Sequence, residues 1–252
     1  MEQRIGDDKS YAVVSSKGGT VRQFVWQGSE IIYPERAVVG GKSRGGIPIC
    51  FPVFSHPPEN FFSIPHHGWL RDQELESILT AKKQIIFAGR NEPSKVYPWE
   101  IEYEVDVFID EEGLRINFAT RRLSDNKSDG APVNIGFHPY FSNLGKHLAI
   151  IGLNGIPRTF GEFKKKSVER AFDEPVYVDA GEWLMKMSFG GEFNRESSCI
   201  VLWSDNAKSY FCVEPVLTYP HLFASSHGGY FLGQNQMLTV SFTILPIAKF
   251  SK

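Results

Sequence analysis

The sequence predicts an all-β fold, a large antiparallel β-sandwich. Three observations carry that prediction. Apolar and polar residues alternate over several short stretches, which is the period of a half-buried strand. No stretch holds a long, capped 3.6-residue period. Pro and Gly recur at short intervals, as strands joined by turns require.

The elements follow in chain order. Val21–Trp26, Glu30–Tyr33 and Gln84–Ala88 are the first strand candidates. Ile101, Tyr103, Val105 and Val107 then share one face of a strictly alternating run. A turn at Asp110-Glu111-Glu112-Gly113 leads into Leu114–Phe118, so the pair reads as a hairpin with one wet and one dry face. Val133–Phe137, Cys199–Trp203 and Ser209–Glu214 follow, and Leu238, Val240, Phe242 and Ile244 alternate near the C-terminus. The polar stretch Ser124–Gly130 is a loop between strands, and no linker divides the chain. A single domain spanning residues 1–252 is expected. Many strands without intervening helices imply antiparallel sheets packed face to face.

Composition narrows the function classes. Hydrophobic residues make up 42% of the chain, enough for a core. With 27 basic and 29 acidic residues, the net charge of −2 leaves no footprint for nucleic acid. The run Lys164-Lys165-Lys166 is too short to change that and reads as a solvated loop. Cys50, Cys199 and Cys212 are odd in number, lack a CxxC pair and sit among apolar residues, which predicts reduced core cysteines. The N-terminus is charged and lacks a signal-peptide core. No apolar stretch approaches the ~20 residues of a membrane helix. The expectation is a cytoplasmic protein, monomeric or weakly dimeric, without membrane or nucleic-acid partners.

Three clusters could carry chemistry. The first runs from Arg44-Gly45-Gly46-Ile47-Pro48 to His66-His67-Gly68-Trp69-Leu70-Arg71-Asp72. Its glycines permit positive φ or close backbone approach. Its arginines are permanently charged donors, and its histidines titrate near neutrality. If this segment is extended, His66 points away from His67. The second cluster is Asn134–Phe141, where Asn134, Gly136 and His138 fall on one face of a strand. The third is Tyr210–Pro215, with Tyr210, Cys212 and Glu214 opposite Phe211 and Val213. Pro215 is expected to end that strand and leave Glu214 at its rim. A structural histidine at 138 and a surface glutamate at 214 are the bland alternatives.

Taken in order, His67-Gly68-x-x-Arg71, Phe137-His138-Pro139-Tyr140-Phe141 and Cys212-Val213-Glu214-Pro215 resemble the aldose 1-epimerase (galactose mutarotase-like) superfamily. The Arg44-Gly45-Gly46-Ile47-Pro48 start is similar to its hexose-6-phosphate mutarotase branch. The resemblance runs from about residue 10 to residue 247 and implies that superfamily's antiparallel supersandwich. It also implies interconversion of the α and β anomers of a sugar. Glu214 matches the family's general base, His138 its general acid, and His67 the histidine that helps hold the ring-oxygen region. Such proton transfers need neither metal nor cofactor.

By the same resemblance Arg44 and Arg71 orient the sugar and, in the phosphosugar branch, grip its 6-phosphate. Salt bridges to Asp72 or Glu74 are the structural alternative for both. Asp173 or Glu174 would take the part of the family's substrate-binding aspartate. Trp203 would stack on a sugar face, unless it belongs to the core. One departure concerns Trp203-Ser204-Asp205, where phosphosugar enzymes often have Trp-Asn-Pro. It weighs against phosphate, whereas two arginines with no other concentrated cationic site weigh for it.

Two other classes compete. A non-catalytic carbohydrate-binding sandwich fits an aromatic content of 13% but does not require His138 and Glu214 to converge. A cupin-like metal site would draw on His66, His67 and Glu74, yet adjacent histidines on a strand do not share a face. The epimerase reading expects His67, His138 and Glu214 on one open cleft of a concave sheet face.

Overall fold

Alternating residues along a strand point to opposite faces, so two facing sheets bury one side of each and leave the other free. A computed structural model of the chain describes residues 1–37, 43–61, 63–123, 129–143, 150–153, 156–159, 168–172, 175–180 and 182–249. Among the described residues the regular structure is strand, with short 3-10 turns and no α-helix. The expected all-β fold is present.

The first sheet has ten strands. It runs in the order Glu2–Gly6, Tyr11–Ser15, Val21–Trp26, Ser29–Ile32, Tyr140–Ser142, Tyr210–Val216, Gly136–Phe137 and Ile49–Cys50, with Cys199–Trp203 attached beside Tyr210–Val216 and Val168–Ala171 beside Cys199–Trp203. The second has nine, from Ile156–Thr159 through Ile150–Leu153, Val176–Asp179, Trp183–Gly191, Met237–Lys249, Gly113–Arg122, Ile101–Asp110 and Gln84–Arg90 to Glu76–Thr80. Every strand pairing is antiparallel within both sheets.

The hairpin forms as its pattern predicts, with Asp110 opposite Gly113 and Val105 opposite Phe118. Its dry face continues onto the C-terminal strand, where Phe242 opposes Ile116 and Val240 opposes Phe118. These side chains meet Phe24, Ile32, Phe141 and Phe211 of the first sheet in one hydrophobic cluster. Burying each such side chain contributes roughly 1.5–3 kcal/mol, so this shared core holds the two sheets together. All three cysteines are free and buried, as expected.

Two strand expectations need correction. Val133–Phe137 is two short strands, Ala131–Val133 and Gly136–Phe137, in different sheets. At the break, the Asn134 side chain replaces a ladder partner: its Nδ2 donates to Thr218 O and its Oδ1 accepts from Thr218 N. The strand bearing Glu214 does not end at Pro215 but runs Tyr210–Val216, with Pro215 paired to Ile200. The run 124–128, within the expected loop, and Lys164-Lys165-Lys166 lie outside the described residues.

Candidate active site

Strand register brings the second and third clusters together. Tyr140 pairs with Cys212 on one side of the gap, and Gly136 with Val216 on the other. Continuing either pair across the gap sets His138 opposite Glu214. Directly opposed residues present their side chains on the same face. His138 Nε2 accordingly lies 3.5 Å from Glu214 Oε1. This face also carries Tyr140, Tyr210 and Cys212, whereas Phe211 and Val213 enter the core between the sheets. The site therefore sits on the side of the first sheet turned away from the second.

The first cluster reaches the same place through its glycines. Gly68 has φ +74°, and a Cβ there would fall 1.9 Å from Phe51 O. Only glycine lets the chain pass so close while Trp69 N donates to that carbonyl. Gly45, with φ +116°, has no room for a Cβ beside Pro34 O, and its turn holds Arg44 in place. His67 itself has φ +69°, so this segment is not extended. The expected divergence of His66 and His67 is thereby corrected: their rings lie 3.7 Å apart, and His66 also stacks on His56 at 4.0 Å. His67 reaches inward instead, its ring 5.3 Å from that of His138.

Burial sets the electrostatics. Glu214 is 2% exposed and His138 6%, so both side chains are almost entirely withdrawn from solvent. Loss of solvent pushes Glu214 well above the usual carboxylate range. It lowers His138 to about 3, with help from the positive charge of Arg71. His67 is lowered to about 2, again chiefly by burial and then by its neighbouring histidines. His67 Nδ1 bonds to Phe54 O, and since a carbonyl only accepts, Nδ1 carries the hydrogen. The Nε2 of His67 is then an acceptor.

Magnitudes show why His138 and Glu214 work as a pair. The lowering of His138 from 6.5 to about 3 corresponds to roughly 5 kcal/mol against the imidazolium. Two opposite charges 3.5 Å apart attract by roughly 5 kcal/mol at an effective dielectric constant of 20. That attraction offsets the cost of charging His138, while ionising Glu214 carries a further cost because burial raises it as well. One proton can reside on either partner.

Aromatic rings enclose this pair. Tyr140 stacks on His138 at 4.8 Å, and Trp203 meets the His138 ring edge-on at 5.9 Å. Phe54 lies beside both His67 and His138, at 5.6 and 6.4 Å, admitted by Gly136, where a Cβ would meet its ring at 2.2 Å. Arg44 covers Trp203 at 5.2 Å. Arg71 is more open and lies 3.7 Å from Asp72, as its salt-bridge alternative anticipated.

The sequence of the chain matches the model of the aldose 1-epimerase family over residues 1–165. It belongs to the aldose 1-epimerase family. The matched span contains Arg44, His67, Arg71 and His138 of this family member, whereas Glu214 and Trp203 lie beyond it. No curated protein matches the sequence at a significant level. Solved structures share the fold. A protein from Synechocystis is 20% identical, with TM-score 0.78, over 98% of this chain and 96% of its own. A galactose mutarotase related enzyme from Lactobacillus acidophilus is 16% identical, with TM-score 0.77, over 100% and 99%. A galactose mutarotase-like protein from Lactobacillus casei is 14% identical, with TM-score 0.79, over 97% and 99%.

In this aldose 1-epimerase family member the structure also supplies a residue that sequence reasoning missed. Asp205 takes Arg44 Nε at 3.1 Å and Nη2 at 2.9 Å on one carboxylate oxygen, and the Tyr210 hydroxyl donates to the other. Its only sequence signal was the departure from Trp-Asn-Pro. Asp173 and Glu174 lie outside the described residues.

A metal reading fares poorly on geometry. Glu74 accepts from Ser16 instead of joining His66 and His67. Among the described residues, the group with metal-ligand chemistry is His138, Cys212 and Glu214, whose donor atoms spread up to 4.8 Å apart. Tetrahedral zinc, with bonds of about 2.0–2.3 Å, needs donors roughly 3.3–3.8 Å apart. Burial also pushes the Cys212 thiol well up, keeping it protonated. A surface cavity of about 600 Å³ lies elsewhere, over Ala88, Glu104 and Ala119 of the second sheet, with no such acid–base pair. No helix among the described residues is long and apolar enough to cross a membrane.

Proposed function

We propose that the protein interconverts the α and β anomers of an aldose, a hexose or hexose 6-phosphate, by acid–base ring opening. The observation that carries this reading is the approach of two buried side chains, His138 and Glu214, to 3.5 Å beside the rings of Tyr140 and Trp203. In the ion-pair form Glu214 removes the proton from the C1 hydroxyl. The C1 carbonyl forms, the bond from C1 to the ring oxygen breaks, and its electron pair takes the proton of His138. Rotation about C1–C2 followed by the reverse transfers closes the other anomer. The pair ends with the single proton it began with, so no cofactor enters the cycle.

His67 accepts a sugar hydroxyl through Nε2, beside the ring oxygen rather than as its proton donor. Trp203 offers apolar area to sugar C–H groups. Arg44 and Arg71 orient the substrate from the entrance. A purely carbohydrate-binding sandwich has no use for a buried, one-proton carboxyl–imidazole pair. We also propose one domain for the whole chain, because both sheets contribute to one core.

Polarimetry tests the reading. Freshly dissolved α-glucose, α-galactose and glucose 6-phosphate are followed with and without the protein. Acceleration of at least one beyond its spontaneous rate is expected; no acceleration with any of the three would refute it.

A further inference from the structure

Arg44 was expected to offer its guanidinium to a sugar phosphate. That group carries five N–H donors in a fixed fork, and phosphate recognition uses two of them in parallel. In the structure Nε and Nη2 already meet Asp205 Oδ2 at 3.1 and 2.9 Å. Nη1 donates to Ser43 O at 3.0 Å, and the indole of Trp203 lies against the guanidinium face at 5.2 Å. The bidentate edge is spent on a carboxylate.

Asp205 is itself locked. Tyr210 donates its hydroxyl to Oδ1. Neighbouring Ser204 donates to Tyr210 O at 2.8 Å and accepts from Asn206 N at 3.1 Å, which holds the turn that presents Asp205. Asp205 is only partly exposed, with side-chain accessibility of 27%, and Arg44 is at 17%. The ion pair is therefore screened less than a surface pair. Arg71 is partly exposed and lies 3.7 Å from Asp72, a carboxylate it shares with Lys17 at 3.1 Å. A phosphate dianion entering here would have to displace one carboxylate and remain beside it.

We infer that Asp205 is a specificity-determining residue, selecting neutral aldoses over sugar phosphates by occupying the fork of Arg44. This rests on the proposed ring-opening reaction and narrows its substrate class. The remaining N–H groups of Arg44 suit neutral hydroxyl oxygens, which need a positioned donor but no net positive charge.

The test compares wild type with Asp205→Asn, which keeps the size and an acceptor for Tyr210 but removes the charge. Asp205→Ser serves if the Asn variant fails to fold, as judged by thermal melting. First, kcat/KM is measured for glucose and for glucose 6-phosphate. Wild type should favour glucose, and the variant should raise the phosphate-to-neutral ratio about tenfold or more. An unchanged or lower ratio, or a wild type that favours the phosphate, overturns the inference. Second, calorimetry measures binding of glucose 6-phosphate and inorganic phosphate without relying on turnover. Tighter phosphate binding in the variant upholds the role of Asp205 even if neither protein accelerates mutarotation, an outcome that would sink the reaction alone. Equal phosphate binding by both proteins overturns the role of Asp205.

Discussion

His138 and Glu214 face each other across a gap in an otherwise regular ladder, with Nε2 and Oε1 3.5 Å apart. The pairs Tyr140–Cys212 and Gly136–Val216 bracket them in a common register. The partners come from strands more than seventy positions apart in sequence, yet backbone pairing alone fixes their juxtaposition. The gap leaves both side chains free to meet each other and a substrate.

Glu214→Gln should reduce mutarotation by about 10²–10⁴-fold while retaining sugar binding, because it removes a proton acceptor and keeps the shape. His138→Asn should lose a comparable factor. Polarimetry combined with calorimetric sugar titration checks both. Near-wild-type turnover in either variant would place the chemistry elsewhere.

The pH profile should show a broad plateau through neutrality. As pH falls through the value of His138, about 3, a second proton binds and the base is lost. As pH rises through the raised value of Glu214, the pair empties and the acid is lost. Enzymatic rates, corrected for spontaneous mutarotation, should therefore lack an acid limb near 6.5. An inflection there would mean that an ordinary exposed histidine controls the rate.

Stability should fall in acid for a related reason. His67 is held at about 2 in the fold but would titrate near 6.5 in the unfolded chain. Between those values the unfolded state binds more protons, so this contribution is complete above 6.5 and is lost as pH falls toward 2. His67→Gln should flatten the dependence of Tm on pH between 4 and 6.5. A slope equal to that of wild type would show that His67 is not buried in its neutral form.

Gly68→Ala should be costly far beyond the loss of a hydrogen atom. The added Cβ would meet Phe51 O at 1.9 Å at a positive φ, so the chain must shift. Such strain costs on the order of 1–3 kcal/mol, seen as a lower Tm, and His67 moves with it. KM should rise more than kcat falls. A variant with unchanged Tm and KM would contradict the close passage at Phe51.

Chelation should leave the rate unchanged, because the cycle moves protons only. Dialysis against EDTA followed by polarimetry checks this. Activity that disappears and returns with a divalent ion would favour metal chemistry at His138, Cys212 and Glu214.

The sequence alone determined the strand pattern. Alternation at Ile101–Val107, Leu114–Phe118 and Leu238–Ile244 reports directly which side chains face a core, because a strand has a period of two. The same rule correctly separated Phe211 and Val213 from Tyr210, Cys212 and Glu214. It also pointed to Arg44, His67, Arg71 and His138 through the glycines and motifs around them. Tertiary structure alone decided how those residues meet. Pro215 reads locally as a strand end, yet pairing with Ile200 carries the strand through it and buries Glu214. Adjacent histidines read as divergent, yet the positive φ of His67 turns both rings to the same side. Asp205 reads as a missing Asn-Pro, and only folding places its carboxylate on Arg44, distant in sequence. Local patterns encode which way a side chain points. Pairing register and loop closure join distant segments, and these set its partner, its burial and therefore its proton.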